Sequence, residues 1–176
     1  MKGIKVYDNI LSPEENEKYR IVLLHECFFT YGEIDDYDTK PCGLICDFDK
    51  LYHSGIKLTS VLKTITENLL DKIYKNEESL KNMKLIRVYL NLFLPNENPS
   101  FHIDANEPGE NAVTCLYYLN PSLDPNEGGE TQFLIDEEIK GVISKPGRLT
   151  IFDGGLLHRA TSFKNHPRLT LAFKFV

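Results

Sequence analysis

The chain has 176 residues, a formal net charge of −6 and a pI of about 5.4. That length suits a single domain with a sizeable core, and the composition is that of a soluble globular protein. The acid excess argues against broad binding to phosphate backbones, and no apolar run approaches the roughly 20 residues that span a bilayer. The opening "MKGIKVYDNI" lacks the apolar stretch and small-residue cleavage site of a secretory leader, so a cytoplasmic location is expected. Cys27, Cys42, Cys46 and Cys115 follow no zinc-ligand spacing and read as free thiols, buried or half-buried.

The first predicted element is a helix opening at "SPEE". Ser12 is a capping residue, Pro13 suits the first helical position, and Glu15 completes a capping box. Tyr19, Val22 and Leu23 follow at helical spacing. A second helix is marked by the apolar stripe Leu58, Val61, Leu62, Ile65, Leu69 and Ile73. Between the two lies "YGEIDDYDTKPCGLICDFDK", acidic and rich in turn formers, with one short strand at Leu44 to Cys46. Residues 31–56 read as a surface loop that can also face a substrate.

After Lys84 the pattern changes to short β-rich runs bounded by Pro, Gly, Asn and Asp: "LIRVYLNLFL", "NAVTCLYYLN", "GETQFLI", "GRLTIF" and "RLTLAFKFV". Residues 1–83 thus read as a helical layer with a loop, and residues 84–176 as a β-core. The expected class is α+β, mainly β, with helices packed on one face of an antiparallel sheet system. Alternation assigns side chains to faces. In the last run Arg168, Thr170 and Ala172 point one way, and Leu169, Leu171, Phe173 and Phe175 the other. An arginine, a threonine and an alanine suit a pocket wall better than a packed core. In "VTCLYYL", Thr114, Leu116 and Tyr118 oppose Val113, Cys115, Tyr117 and Leu119. Gly128, Gly129 and the pair Pro146 and Gly147 read as turns. His25, His53 and His166 read as structural or solvated.

The stretch "SFHIDANEPG" carries His102 and Asp104 two positions apart, which on extended backbone puts both on one face. His158, after "GRLTIFDGGLL", can supply a second imidazole. Two imidazoles and a carboxylate on one side of a metal, with open positions opposite, make the facial iron(II) site. Arg168 and Thr170 follow. A guanidinium fork binds a carboxylate in bidentate fashion and a neighbouring hydroxyl adds a third bond, so the pair can hold the far end of a dicarboxylic co-substrate.

Taken in order, "FHID", "AVTCLYYLNP", "GGETQF", "KPGRLTIFDGGLLH" and "RLTLAF" resemble the iron(II)- and 2-oxoglutarate-dependent oxygenases, in the prolyl 4-hydroxylase-like branch. The resemblance covers roughly residues 84 to 176. It implies a double-stranded β-helix, the jelly-roll of the cupins. It implies that His102, Asp104 and His158 are catalytic residues that bind iron(II). It implies that Arg168, Tyr118 and Thr170 bind 2-oxoglutarate, with Tyr89 and Asn91 as further pocket residues. Dioxygen is the second co-substrate and ascorbate the implied reductant. Iron halogenases lack the carboxylate at the position of Asp104, so its presence points to hydroxylation.

Three departures weigh on the substrate. Arg168 stands one residue further from His158 than in the hypoxia-sensing enzymes. Collagen-type enzymes place lysine where Arg168 stands. The chain shows no peptide-binding extension. The reading is therefore a hydroxylase of a peptidyl proline or other amino-acid substrate. Its alternatives are a hydroxylase of another small metabolite and a metal-binding cupin-like module without catalysis. Residues 105–111 would form the loop at the mouth of the pocket.

Overall fold

A computed structural model describes residues 3–33, 42–48, 59–105, 109–121 and 124–176. The elements run β1 (Ile4–Tyr7), α1 (Pro13–Glu26), β2 (Thr30–Glu33), β3 (Cys42–Asp47), α2 (Ser60–Asn76) and a 3-10 turn (Glu78–Asn82). Then follow β4 (Leu85–Phe93), β5 (Val113–Tyr118), β6 (Thr131–Ile135), β7 (Glu138–Val142), β8 (Leu149–Asp153), β9 (His158–Ala160) and β10 (Arg168–Phe175). Seven strands form a major sheet in the order β1-β8-β5-β10-β4-β3-β2, and three form a minor sheet in the order β7-β6-β9. The pairings within both sheets are antiparallel. This is the expected jelly-roll, with the helices on the outer face of the major sheet.

The helix starts follow the sequence closely. Ser12 Oγ accepts from Glu15 N at 3.2 Å, and Ser12 N donates to Glu15 Oε2 at 3.1 Å, closing the capping box before Pro13. On α2, Thr59 Oγ1 accepts from Leu62 N at 3.3 Å. Leu62, Ile65, Leu69 and Ile73 bury one stripe of α2 against the sheet, whereas Val61, expected on that stripe, is 44% exposed. Leu58 and His53 lie outside the described residues. Burial of a side chain such as Leu69 contributes about 1.5–3 kcal/mol.

Two cores lie on the two faces of the major sheet. The outer core joins Leu23, Leu62, Ile65, Leu69 and Ile73 to Leu90, Cys115, Tyr117, Leu171 and Phe173. The inner core lies between the sheets and joins Tyr89, Leu116, Tyr118 and Ala172 to Phe133 and Phe152. Strand alternation thus separates the faces of β5 and β10 as the sequence indicates. One buried polar group in the outer core is satisfied on both sides: Asn16 Nδ2 donates to Leu119 O at 3.3 Å and Asn16 Oδ1 accepts from Tyr117 Oη at 2.8 Å.

The segment before residue 84 holds more strand than the sequence reading gave it. β1 and β2 form the two edges of the major sheet, and β3 runs from Cys42 to Asp47. β1 has four residues, and its identity rests on distant partners such as Ile4 with Phe152. β7 was also missed. It returns from β6 through Asp136 (φ 52°) and Glu137 (φ 64°), a two-residue hairpin turn without the glycine that usually signals one. Among the described residues no helix is long and apolar enough to cross a membrane.

An ion cluster ties the end of β1 to the turn before β8. Asp8 accepts from Arg148 Nε at 2.8 Å and Arg148 Nη2 at 3.1 Å, and from Lys145 Nζ at 3.1 Å. The hydrogen bonds from Arg148, reinforced by Lys145, hold the Asp8 carboxyl down to about 2. An unfolded-chain aspartate titrates near 3.9, so the stabilisation is complete above that value and disappears as the pH falls through the folded value. After allowance for solvent screening it amounts to about 1 kcal/mol. Asp8→Asn is expected to lower unfolding stability by that amount at pH 6, and the gap from the parent protein should close between about pH 4 and pH 2. Urea unfolding across this range checks it; a gap that stays constant down to pH 2 contradicts the assignment.

Candidate metal and co-substrate site

The two histidines predicted to share a metal meet through their backbones. His102 and His158 form an isolated antiparallel bridge, each N–H donating to the other's carbonyl at 2.9 Å. Asp104 N donates to Gly154 O at 2.7 Å, which fixes the second half of the His-x-Asp segment beside the turn before β9. The side chains converge as a result. One ligand atom from each of His102, Asp104 and His158 lies within 4.8 Å of the others. His158 Nε2 is 3.5 Å from Asp104 Oδ2, and His102 Nε2 is 3.9 Å from Asp104 Oδ1.

Each imidazole is oriented from behind. His158 Nδ1 donates to Leu156 O at 2.8 Å and His102 Nδ1 to Ser100 O at 3.2 Å. A carbonyl only accepts, so both Nδ1 atoms carry the proton and both Nε2 lone pairs face the cluster. His158 is packed between Phe133 and Phe152, with ring centroids at 5.9 and 4.6 Å. Its burial lowers the pKa to about 4, so the ring is neutral and available as a ligand at neutral pH. The Asp104 side chain is buried as well, 4% exposed. Burial opposes its charge, but the Lys174 ammonium beside it, with Thr114, holds the carboxyl down to about 2. Lys174 Nζ is 2.6 Å from Oδ1, and Thr114 Oγ1 donates to Oδ2 at 2.6 Å. A charged carboxylate and two imidazoles, with Nε2 and Oδ atoms converging, are the donor set of a non-haem iron(II) centre. The residues fit that metal.

A second feature lies in the same cavity of about 600 Å³, whose wall includes the triad, Asn91, Thr131, Arg168 and Thr170. Arg168 is 1% exposed. Its Nε donates to Gly129 O at 3.0 Å and its Nη2 to Thr131 Oγ1 at 2.8 Å. Among the described residues no carboxylate pairs with it. Burial pulls its pKa down, but guanidinium starts far above neutrality, so the group is a buried cation. Beside it, Thr170 Oγ1 and Asn91 Oδ1 are buried without hydrogen-bond partners among the described residues, and the two residues face each other across β10 and β4. Buried polar atoms without partners cost about 1–3 kcal/mol each. A carboxylate seated here would pair the guanidinium and accept from the Thr170 hydroxyl. The wall therefore fits one end of a dicarboxylate.

Tyr118, expected at the co-substrate, and Tyr89, expected in the pocket, lie at different ends of the cavity. Tyr118 is fully buried behind the wall: its hydroxyl meets Thr131 Oγ1 at 2.7 Å, and its ring lies 5.5 Å from the Arg168 guanidinium carbon. It braces the Arg168 and Thr131 pair. Tyr89 lines the cavity at the other end, with Arg87 4.2 Å and Lys174 5.4 Å from its ring centre. Residues 106–108 of the mouth loop, and 34–41 and 49–56 of the acidic stretch, lie outside the described residues.

Three contributors were not predicted. Lys174 continues the alternation Arg168, Thr170, Ala172 by one more step, so its face was legible, though its partner was not. Thr131 is brought in by β6 from the other sheet, a contact with no local signal. Gly129 was read as a turn residue. It has φ +80°, and a Cβ there would lie 2.3 Å from Phe163, so glycine alone lets its carbonyl reach Arg168.

Replacing Lys174 by Met removes the ammonium that compensates Asp104 in the metal-free protein. We expect metal-free stability to fall by about 1–3 kcal/mol. The rise in Tm on adding manganese(II) should be larger than in the parent, because the metal then meets no competing cation. Thermal unfolding with and without manganese(II) checks this; an unchanged metal-induced rise contradicts the role given to Lys174.

Residues 88–175 match the sequence profile of the 2OG-Fe(II) oxygenase superfamily, half of the chain. No protein of curated function matches by sequence. Among solved structures, a Pseudomonas putida prolyl-4-hydroxylase is similar with a TM-score of 0.67 at 17% identity, over 98% of this chain and 91% of that one. A Trichoplax adhaerens prolyl hydroxylase, solved with a hypoxia inducible factor peptide fragment, is similar with a TM-score of 0.68 at 17% identity, over 99% and 84%. HygX from Streptomyces hygroscopicus, solved with nickel and 2-oxoglutarate bound, is similar with a TM-score of 0.68 at 14% identity, over 98% and 82%.

Proposed function

The chain belongs to the 2OG-Fe(II) oxygenase superfamily, and from that premise we propose that it is an iron(II)- and 2-oxoglutarate-dependent hydroxylase of the prolyl 4-hydroxylase-like type. Its substrate is an amino-acid unit, free or within a peptide. The observation that carries this reading is a cavity with two poles. One pole is a buried carboxylate with two oriented imidazoles, and the other is a buried arginine that pairs with no carboxylate among the described residues. A metal-binding module without catalysis has no use for the second pole, which therefore favours the oxygenase over that alternative.

In this reading His102, Asp104 and His158 hold iron(II). Bound iron(II) supplies the redox chemistry that couples decarboxylation of 2-oxoglutarate by dioxygen, giving succinate and carbon dioxide, to hydroxylation of a substrate C–H bond. The chain supplies binding and orientation. Two imidazole ligands add no charge and Asp104 adds one negative charge, so iron(II) held here would keep one net positive charge and attract an anion. Arg168 takes the far carboxylate of 2-oxoglutarate, with Thr170 donating to it and Thr131, Tyr118 and the Gly129 carbonyl fixing the guanidinium plane. Asn91, paired with Thr170 across the strands, and Tyr89 would line the cavity around the bound co-substrate. Phe133 and Phe152 keep water from the back of His158. Ascorbate fits the reading as the reductant that restores iron(II).

Succinate formation tests it. The protein with iron(II), 2-oxoglutarate and dioxygen should release succinate, faster in the presence of a true substrate from a panel of amino acids and peptides. Asp104→Ala should abolish both this turnover and metal binding; succinate release at the parent rate in that variant would exclude the site. Arg168→Gln should weaken 2-oxoglutarate binding by roughly 100-fold, the loss of a charge-assisted bidentate contact, while manganese(II) still binds. Calorimetry with 2-oxoglutarate checks this; an unchanged affinity removes Arg168 from the role.

A further inference from the structure

Part of the cavity remains once the metal and 2-oxoglutarate have their places. Arg168 and Lys174 share the inner face of β10, six residues and about 20 Å apart along the strand. The triad lies at the Lys174 end, since Lys174 Nζ touches Asp104 and Thr114, paired with Lys174 across β5, touches it too. A diacid that reaches from the metal to Arg168 therefore runs away from Lys174. The wall on the other side is Lys174, Tyr89 and Arg87. Arg87 faces Lys174 across β4, and the two cations flank the Tyr89 ring. All three line the cavity.

Charge decides what this wall wants. Arg87 Nε donates to the buried carboxylate of Asp47 at 2.8 Å, so those two compensate each other. In the metal-free protein Asp104 compensates Lys174. With iron(II) on Asp104 and 2-oxoglutarate between the metal and Arg168, the metal, Asp104, Arg168 and the two co-substrate carboxylates sum to neutrality. Lys174 is then the one cation on the cavity wall, among the described residues, whose counter-ion has been taken. Its side chain is 17% exposed, too dry for water to compensate it fully and open enough for a ligand to reach it.

We propose, building on the oxygenase reading, that Lys174, with Arg87 beside it, receives a carboxylate of the primary substrate. The substrate is then a small carboxylic acid, such as a free amino acid, and not a proline inside a peptide chain. A proline within a chain has no carboxylate of its own to offer here. A free acid brings one, and its carbon skeleton then extends from Lys174 across the metal.

The test uses the full protein loaded with manganese(II) and saturated with 2-oxoglutarate. Acetate is the charged probe and acetamide its neutral counterpart, and both are followed by the paramagnetic relaxation of their methyl protons. Acetate should show saturable relaxation and acetamide none. Lys174→Gln should weaken acetate binding at least tenfold at saturating manganese(II), and Lys174→Arg should keep it within about threefold of the parent. Equal behaviour of acetate and acetamide overturns the proposal, as does an acetate affinity that Lys174→Gln leaves unchanged. Absence of 2-oxoglutarate binding in the same samples overturns instead the reading on which the proposal rests.

Discussion

The co-substrate wall and Lys174 are placed by the two-residue alternation of a strand in the middle of the major sheet. That strand, β10, lies between β5 and β4, and it sends Leu169, Leu171, Phe173 and Phe175 into the outer core against α1 and α2. That packing fixes the strand's register, because a slip of one residue would turn four large apolar groups into the cavity and a buried arginine toward the helices. With the outer face fixed, Arg168, Thr170, Ala172 and Lys174 must face the cavity. Ala172 leaves the floor low where Tyr89 and Leu116 flank it, so the cavity has room between two cationic ends.

Burial of charge then defines what the cavity is built to hold. Arg168 is almost wholly inaccessible, and its hydrogen-bond partners among the described residues are neutral, the Gly129 carbonyl and the Thr131 hydroxyl. Such an arrangement is costly in an empty protein and becomes favourable when an anion arrives. Asp104 poses the reverse problem and meets it with Lys174 and Thr114. The two ends share a logic: each holds a buried charge whose best partner comes from outside the chain. Orientation follows the same rule, since carbonyls behind His102 and His158 turn both Nε2 lone pairs toward one point.

Much of this was legible in the sequence, for physical reasons that also explain the omissions. His102 and Asp104 declare themselves because two ligands on one extended segment share a face. Arg168 does so because an arginine among alternating apolar residues must face something other than the core. The capping box at Ser12 and the stripe on α2 are local patterns read directly. β1, β7 and Thr131 are of another kind. β1 is a strand because Ile4 to Tyr7 pair with Phe152 to Leu149, and Thr131 joins Arg168 because the minor sheet folds over the major one. Lys174 lay on a face the alternation already identified, yet its contact with Asp104 joins β10 to the loop after β4. Pairings between distant segments leave no mark in a local window.

The central claim is that one cavity holds a divalent metal and 2-oxoglutarate together. The measurement that tests it most directly is calorimetric titration of 2-oxoglutarate into the oxygen-free protein with and without iron(II). The account predicts one molecule bound per chain, with affinity that depends on the metal, because the metal and Arg168 each hold one end. Binding that is equally strong without metal, or absent with it, would contradict the account.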